Sequence, residues 1–206
     1  MSTLSGAQLL QGVADRIIVR YLGVAGYRDI SRQGGGTVAD GSVGCDITYR
    51  QGDRAVKAKV KPDAYFGTDL AKVSDRSLPF YRAETGHYAF ESIADPSTRE
   101  PGWMFNSRAD ELFYYYIALT QTEEEISALL SEPDEVFFSE LGVERDELRV
   151  LPMPSTQAWF EANYEDYAPR PVAIGNRSAW YRLIPCSDID RSVRGIKRLG
   201  AVFHAL

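Results

Sequence analysis

Residues 45 to 61 read CDITYRQGDRAVKAKVK, two short runs joined by QGD, and this stretch decides the fold class. In the second run Val56, Ala58 and Val60 alternate with Lys57, Lys59 and Lys61. A period of two is the signature of a strand, so the stretch is predicted as a β-hairpin with three ammonium groups on one face. Such a row is usually solvated or protects a sheet edge. It also suits a phosphate channel, or supplies one catalytic lysine.

Before the hairpin, SGAQLLQGVADRIIVRYLGV spaces Leu9, Leu10, Val13, Ile17 and Tyr21 at helical intervals, with Ser5 available as N-cap. An amphipathic helix ending near Gly23 is expected. SRQGGGTVADGSVG, residues 31–44, reads as a loop. Its glycines are not a phosphate-binding loop, because neither GK[ST] nor a helix signal follows. The turn-rich residues 62–84 lead to a strand, HYAFESI. Asn106 or Ser107 is the expected cap of a short helical turn, and the aromatic run up to Leu119 is predicted as a buried strand beside a similar one, ELRVLPMP. TEEEISALLSE is expected as a surface helix capped by Thr122, with glutamates in the first turn where the helix dipole favours them. STQAWFEANYEDY reads as a helix capped by Ser155, SAWYRLIP as a strand and SDIDRSVRGIKRL as a final basic helix. Without repeat or linker, the order implies one α/β domain over residues 1–206, a mixed central β-sheet flanked by helices, with an acidic helical elaboration at about 121–147.

The 206 residues are long enough for a real core, and 44% hydrophobic with 25% charged residues is an ordinary globular balance. The longest apolar stretch, LFYYYIAL, is too short to span a bilayer and no leader pattern opens the chain, so no membrane partner and a cytoplasmic location are expected. Cys45 and Cys186 lack the spacing of a zinc or redox site. The net charge of −6 argues against a large basic face coating nucleic acid. The charge is polarised, however: acid gathers at 123–147, base at 54–61 and 191–198.

Asp46, Asp63 and Glu91 are the acids at strand positions. Metal-dependent phosphodiester hydrolysis needs carboxylates converging on divalent ions, usually with a lysine at the attacking water. Asp46, Glu91 and Lys61 form such a set if their strands are neighbours. Otherwise Asp46 caps a strand or turn and Glu91 pairs with a lysine.

VKPD at 60–63, ETGHYAFE at 84–91 and PGWMFNSRADELFYY at 101–115, followed by LRVLPMP and STQAWFEAN, resemble phage and mobile-element proteins of the PD-(D/E)XK, or restriction-endonuclease-like, superfamily. The resemblance covers roughly residues 43–165. It implies a restriction-endonuclease-like core and a nuclease dependent on Mg²⁺ or Mn²⁺, acting on DNA. Asp46, Asp63 and Glu91 then hold the metal, and Lys61 positions the attacking water or stabilises the pentacoordinate phosphorus. His87 is a candidate proton shuttle or a structural donor, and Lys57, Lys59, Arg108, Arg191, Arg194 and Lys197 are candidate contacts to nucleic acid. Two positions depart from the pattern. Lys59 stands where the superfamily has Glu or Asp, and His87 where it has Asn. The first favours a rival reading, a catalytically silent relative that binds nucleic acid or a protein. The acidic 121–147 segment is expected to face solvent or a protein partner, and a homodimer is expected only because dimers are common in the superfamily.

Overall fold

In the computed structural model, residues 6–33, 44–64, 86–174 and 177–206 are described. The Ser5 cap, the three glycines and most of the 62–84 segment lie outside them.

The alternation at 54–63 does form a strand, β3 (Arg54–Asp63), paired antiparallel with β2 (Ile47–Gln51). β3 is not an edge strand. Its other neighbour is β6 (Glu111–Leu119), which runs parallel to it. A parallel pair requires a crossover, and here the crossover contains β4 (His87–Asp95), β5 (Glu100–Pro101) and α2 (Trp103–Asn106). β6 is buried on both faces, as its unbroken apolar run predicts. β7 (Val143–Pro152) pairs antiparallel with it along nearly its whole length.

The result is an α/β fold with a six-stranded mixed sheet in the order β1-β2-β3-β6-β7-β10, where β1 is Arg28–Arg32 and β10 is Lys197–Gly200. Helix α1 (Gly6–Val24) covers one face through Leu9, Val13, Ile17 and Ile18, packed on Val56, Val60, Phe113 and Tyr115. The other face meets a second, four-stranded sheet, β5-β4-β9-β8, where β8 is Pro169–Ile174 and β9 is Arg177–Pro185. Tyr88, Phe90, Leu112, Tyr114 and Tyr116 form the core between the two sheets with Phe160 of α5 (Met153–Asn163) and Ile189 of α6 (Cys186–Ser192).

Several expectations change. HYAFESI is a strand but belongs to the second sheet, because β4 pairs with β9 rather than with β3. Residues 31–32, read as loop, end the edge strand β1. Gly102, not Asn106 or Ser107, precedes α2. Helix α5 begins at Met153, so Ser155 sits inside its first turn. The final basic helix stops at Ser192. Gly195 takes a left-handed φ of 88° in a turn, and Lys197 and Arg198 belong to β10, opposite Val150 and Arg149.

The acidic elaboration is two short helices, α3 (Glu123–Leu129) and α4 (Asp134–Glu140), around Pro133. Thr122 caps α3 in a capping box with Glu125, as read from the sequence. The segment is not a separable surface arm. Ile126, Phe137 and Leu141 join the core beneath α1, residues 143–147 belong to β7, and buried Asp146 accepts hydrogen bonds from Tyr115 Oη, Val202 N and Phe203 N. Glu123, Glu124, Asp134 and Glu135 are among its exposed charges.

Candidate nucleic-acid interface and the carboxylate–lysine site

The lysine row of β3 lies on the face turned toward the second sheet, since Val56, Ala58 and Val60 face α1. The three ammonium groups meet different surroundings. Lys57 is partly exposed.

Lys59 reaches Asp46. Its Nζ lies 3.0 Å from Asp46 Oδ2 and 3.3 Å from Oδ1, with side-chain exposures of 16% and 11%. Asp46 directly precedes β2, and β3 continues beyond that point. The Val60 N–H is left without a strand partner there, and Asp46 Oδ2 accepts it at 2.7 Å. Asp46 therefore caps the open end of a strand and is neutralised by a lysine. The neighbouring Val60 carbonyl accepts from Gln11 Nε2 at 3.3 Å, and Gln11 also donates to Asp15 Oδ1 at 2.8 Å.

Burial pushes the Asp15 carboxyl up to about 6, opposed by the Gln11 hydrogen bond and reinforced by the Asp46 charge. A carboxyl whose folded pKa is raised binds its proton more tightly when folded, so its stabilising contribution is complete below the unfolded value near 3.8 and is lost as pH rises to about 6. Asp15→Asn keeps a side chain that accepts from Gln11 and removes this dependence. Urea unfolding is expected to show the variant more stable than the parent at pH 7.5, on the order of 2 kcal/mol, with the difference vanishing at pH 4.

Lys61 enters a different cluster, between β3 and the second sheet. Its Nζ donates to the Pro62 carbonyl at 3.0 Å and lies 5.8 Å from the centre of the Tyr181 ring. Burial pushes its ammonium pKa down, against the charge of Asp63; Lys59 adds to the depression and Glu91 opposes it. Tyr181 Oη donates to Glu91 Oε2 at 2.9 Å, and Glu91 Oε1 accepts the Trp103 N–H at 3.2 Å. Tyr114 Oη donates to Asp63 Oδ2 at 2.6 Å and accepts the Ala89 N–H at 2.8 Å, so a tyrosine hydroxyl ties β3 to β4. Tyr116 Oη makes a second tie, to the carbonyl of buried His87. Gly102 lets this region close: a Cβ there would meet the Glu91 carbonyl oxygen at 2.3 Å.

The fold thus gathers Lys61, Asp63 and Glu91, and places Asp46 apart with Lys59. Among the described residues no three His, Cys, Asp or Glu side chains form a group that could hold a metal ion. The side chains present do not fit Mg²⁺ or Mn²⁺ at Asp46. A divalent ion there would sit against the Lys59 ammonium, and the other two carboxylates are oriented by tyrosine hydroxyls. His87 and Glu91 do share one face of β4, as the four-residue spacing implies.

The candidate phosphate contacts are dispersed. Arg108 is exposed ahead of β6; Arg191 pairs with Asp188 at 2.6 Å; Lys197 lies 3.5 Å from Glu111. Arg194 is exposed in the turn before β10, lining a shallow concavity with Asp190, Arg191 and Arg198. Sequence reasoning missed Tyr114 and Tyr181, which hold two of the three carboxylates. Their positions in apolar strands concealed hydroxyls facing a carboxylate. It also missed Arg28 and Arg50, exposed on β1 and β2.

No protein-family model, curated protein or solved structure matches the chain. No helix among the described residues is long and apolar enough to cross a membrane.

Proposed function

We propose that the chain is a nucleic-acid-binding protein on a restriction-endonuclease-like plan, with an internal ion pair in place of the metal centre, so that it binds DNA without cutting it. The observation that carries this reading is the Lys59–Asp46 pair. Where the superfamily has a second acid, this chain has an ammonium 3.0 Å from the first. That ammonium supplies the positive charge a divalent ion would bring, and it does so with no open coordination position at which a water could be activated. Lys61, Asp63 and Glu91 then serve as a polar seam between the sheets.

The second reading is the metal-dependent nuclease, favoured by Lys61 lying over the Tyr181 ring whose hydroxyl holds Glu91, with Asp63 two residues further along β3. A nicking assay on supercoiled plasmid in Mg²⁺ or Mn²⁺, run beside gel-shift binding of the same DNA, separates the two. The first reading expects retarded, intact plasmid; the second expects EDTA-sensitive nicks that disappear in Glu91→Ala.

A further inference from the structure

β1 and β2 form the edge of the six-stranded sheet, and their register is unusual. Arg28 stands opposite Arg50, both exposed, and Ser31 stands opposite Thr48. Three residues on β1 therefore span two on β2, and the extra one is accommodated by a bulge in which Asp29 takes a left-handed φ of 51°. Without the bulge, Arg28 and Ser31 would project to opposite faces; with it, both project to the face carrying Thr48 and Arg50. Ile30 is left to pack against the core under α1, and the Arg32–Ile47 pair occupies that same opposite face.

Like charges directly opposite one another on a strand pair are destabilising. Here a non-glycine residue in a sparsely populated conformation creates such a pair. Protection of the edge strand would be met by charges out of register, so it accounts for arginine on β1 but not for the juxtaposition. Among the described residues neither guanidinium has a carboxylate partner, and Arg50 donates to the Asp53 carbonyl at 2.8 Å. The same face continues onto β3 through Lys57, opposite Thr48, and its polar floor is completed by Gln33, whose Nε2 donates to Thr48 Oγ1 at 3.0 Å and Ser31 Oγ at 3.3 Å. Two arginines at opposed strand positions on one face, with the amide and hydroxyl groups of Gln33, Ser31 and Thr48 further along it, match phosphate oxygens, for which arginine forks are suited.

We infer that the Arg28–Arg50 pair on β1 and β2, with Lys57 beside it, grips backbone phosphate of the bound nucleic acid. This rests on the nucleic-acid reading above and adds the surface that does the binding. The contact is to the backbone and carries no base preference.

The test is fluorescence anisotropy of the full chain with a labelled 20-base-pair duplex across a salt series, comparing wild type with Arg28→Ala/Arg50→Ala. Both side chains are exposed, so the fold is expected to survive, and circular dichroism checks it. The expected result is at least a tenfold loss of affinity with the logarithmic salt slope shallower by about 2, one for each lost phosphate contact. A double variant within twofold of wild type, with an unchanged slope, overturns the proposed surface and leaves the nucleic-acid reading standing. Failure of the wild type itself to bind the duplex at low salt overturns both.

Discussion

Replacing Arg16 with methionine lowers the stability of the whole chain by about 3 kcal/mol, the loss expected when a buried guanidinium and its several partly buried acceptors are separated at once. Arg16 lies on α1 and is only 8% exposed. Its guanidinium donates from Nη2 to the Glu132 carbonyl at 2.9 Å and from Nη1 to the Leu129 and Leu130 carbonyls at 3.4 Å, and from Nε and Nη2 to Asp134. It also lies 4.1 Å above the centre of the Phe137 ring. One side chain thus satisfies the end of α3, the start of α4 and the turn between them. Asp134 is 71% exposed, so the ion pair itself contributes little; most of the expected loss comes from the hydrogen bonds to the Leu130 and Glu132 carbonyls and the packing on Phe137, since the Leu129 carbonyl keeps the Glu132 N–H. Thermal unfolding of Arg16→Met should fall by on the order of 10 °C. Lysine should rescue only a small part, because a single ammonium cannot span that fan of acceptors. A variant melting within 2 °C of the parent, about the shift for 1 kcal/mol, would show that α3 and α4 are held by their apolar residues alone.

Lys59→Glu has the other large effect, and its sign depends on metal. In the parent, Asp46 is balanced by an ammonium and one backbone N–H. Glutamate at 59 replaces that attraction by repulsion between two largely buried carboxylates, at a cost of about 3 kcal/mol in EDTA. Divalent ions reverse the cost, because an ion that binds the folded state alone stabilises it by mass action. The variant is expected to melt well below the parent in EDTA, to recover in millimolar Mn²⁺, and to give a calorimetric binding signal that the parent lacks. A variant as stable as the parent in EDTA and indifferent to Mn²⁺ would mean that Lys59 does not stand in for a cation.

Much of this architecture is legible in the residues themselves. The alternation of Val56, Ala58 and Val60 with lysines places β3, the aromatic run places β6, and Thr122 with Glu125 marks the start of α3. What is not legible depends on partners distant in the chain. Nothing local in HYAFES says that β4 pairs with residues 177–185 and so leaves the sheet of β3. The segment after Ser192 carries helical spacing, yet Gly195 turns it and β7 pulls Lys197 and Arg198 into a ladder. Arg16 reads as the polar side of an amphipathic helix and is buried only because α3 and α4 fold back onto it.

The candidate site divides in the same way. Lys59 in the alternating lysine row is visible in the sequence, whereas its bond to Asp46 needs β2 to begin one residue past that carboxylate. Glu91, the lone charge within HYAFES, is explained by Tyr181 and the Trp103 N–H, neither of which its neighbours announce. The Arg28–Arg50 pair depends on a one-residue bulge, and the last two residues of the strand that contains Arg28 read as the start of a loop.

The most direct measurement of the central claim is incubation of the purified chain with supercoiled plasmid, linear duplex and single-stranded DNA in Mg²⁺ or Mn²⁺, with EDTA and Glu91→Ala controls and binding recorded on the same samples. The account predicts DNA bound and intact in every lane. Cleavage abolished by EDTA and by Glu91→Ala would contradict it, and would make Glu91 a metal ligand rather than the acceptor of a tyrosine hydroxyl.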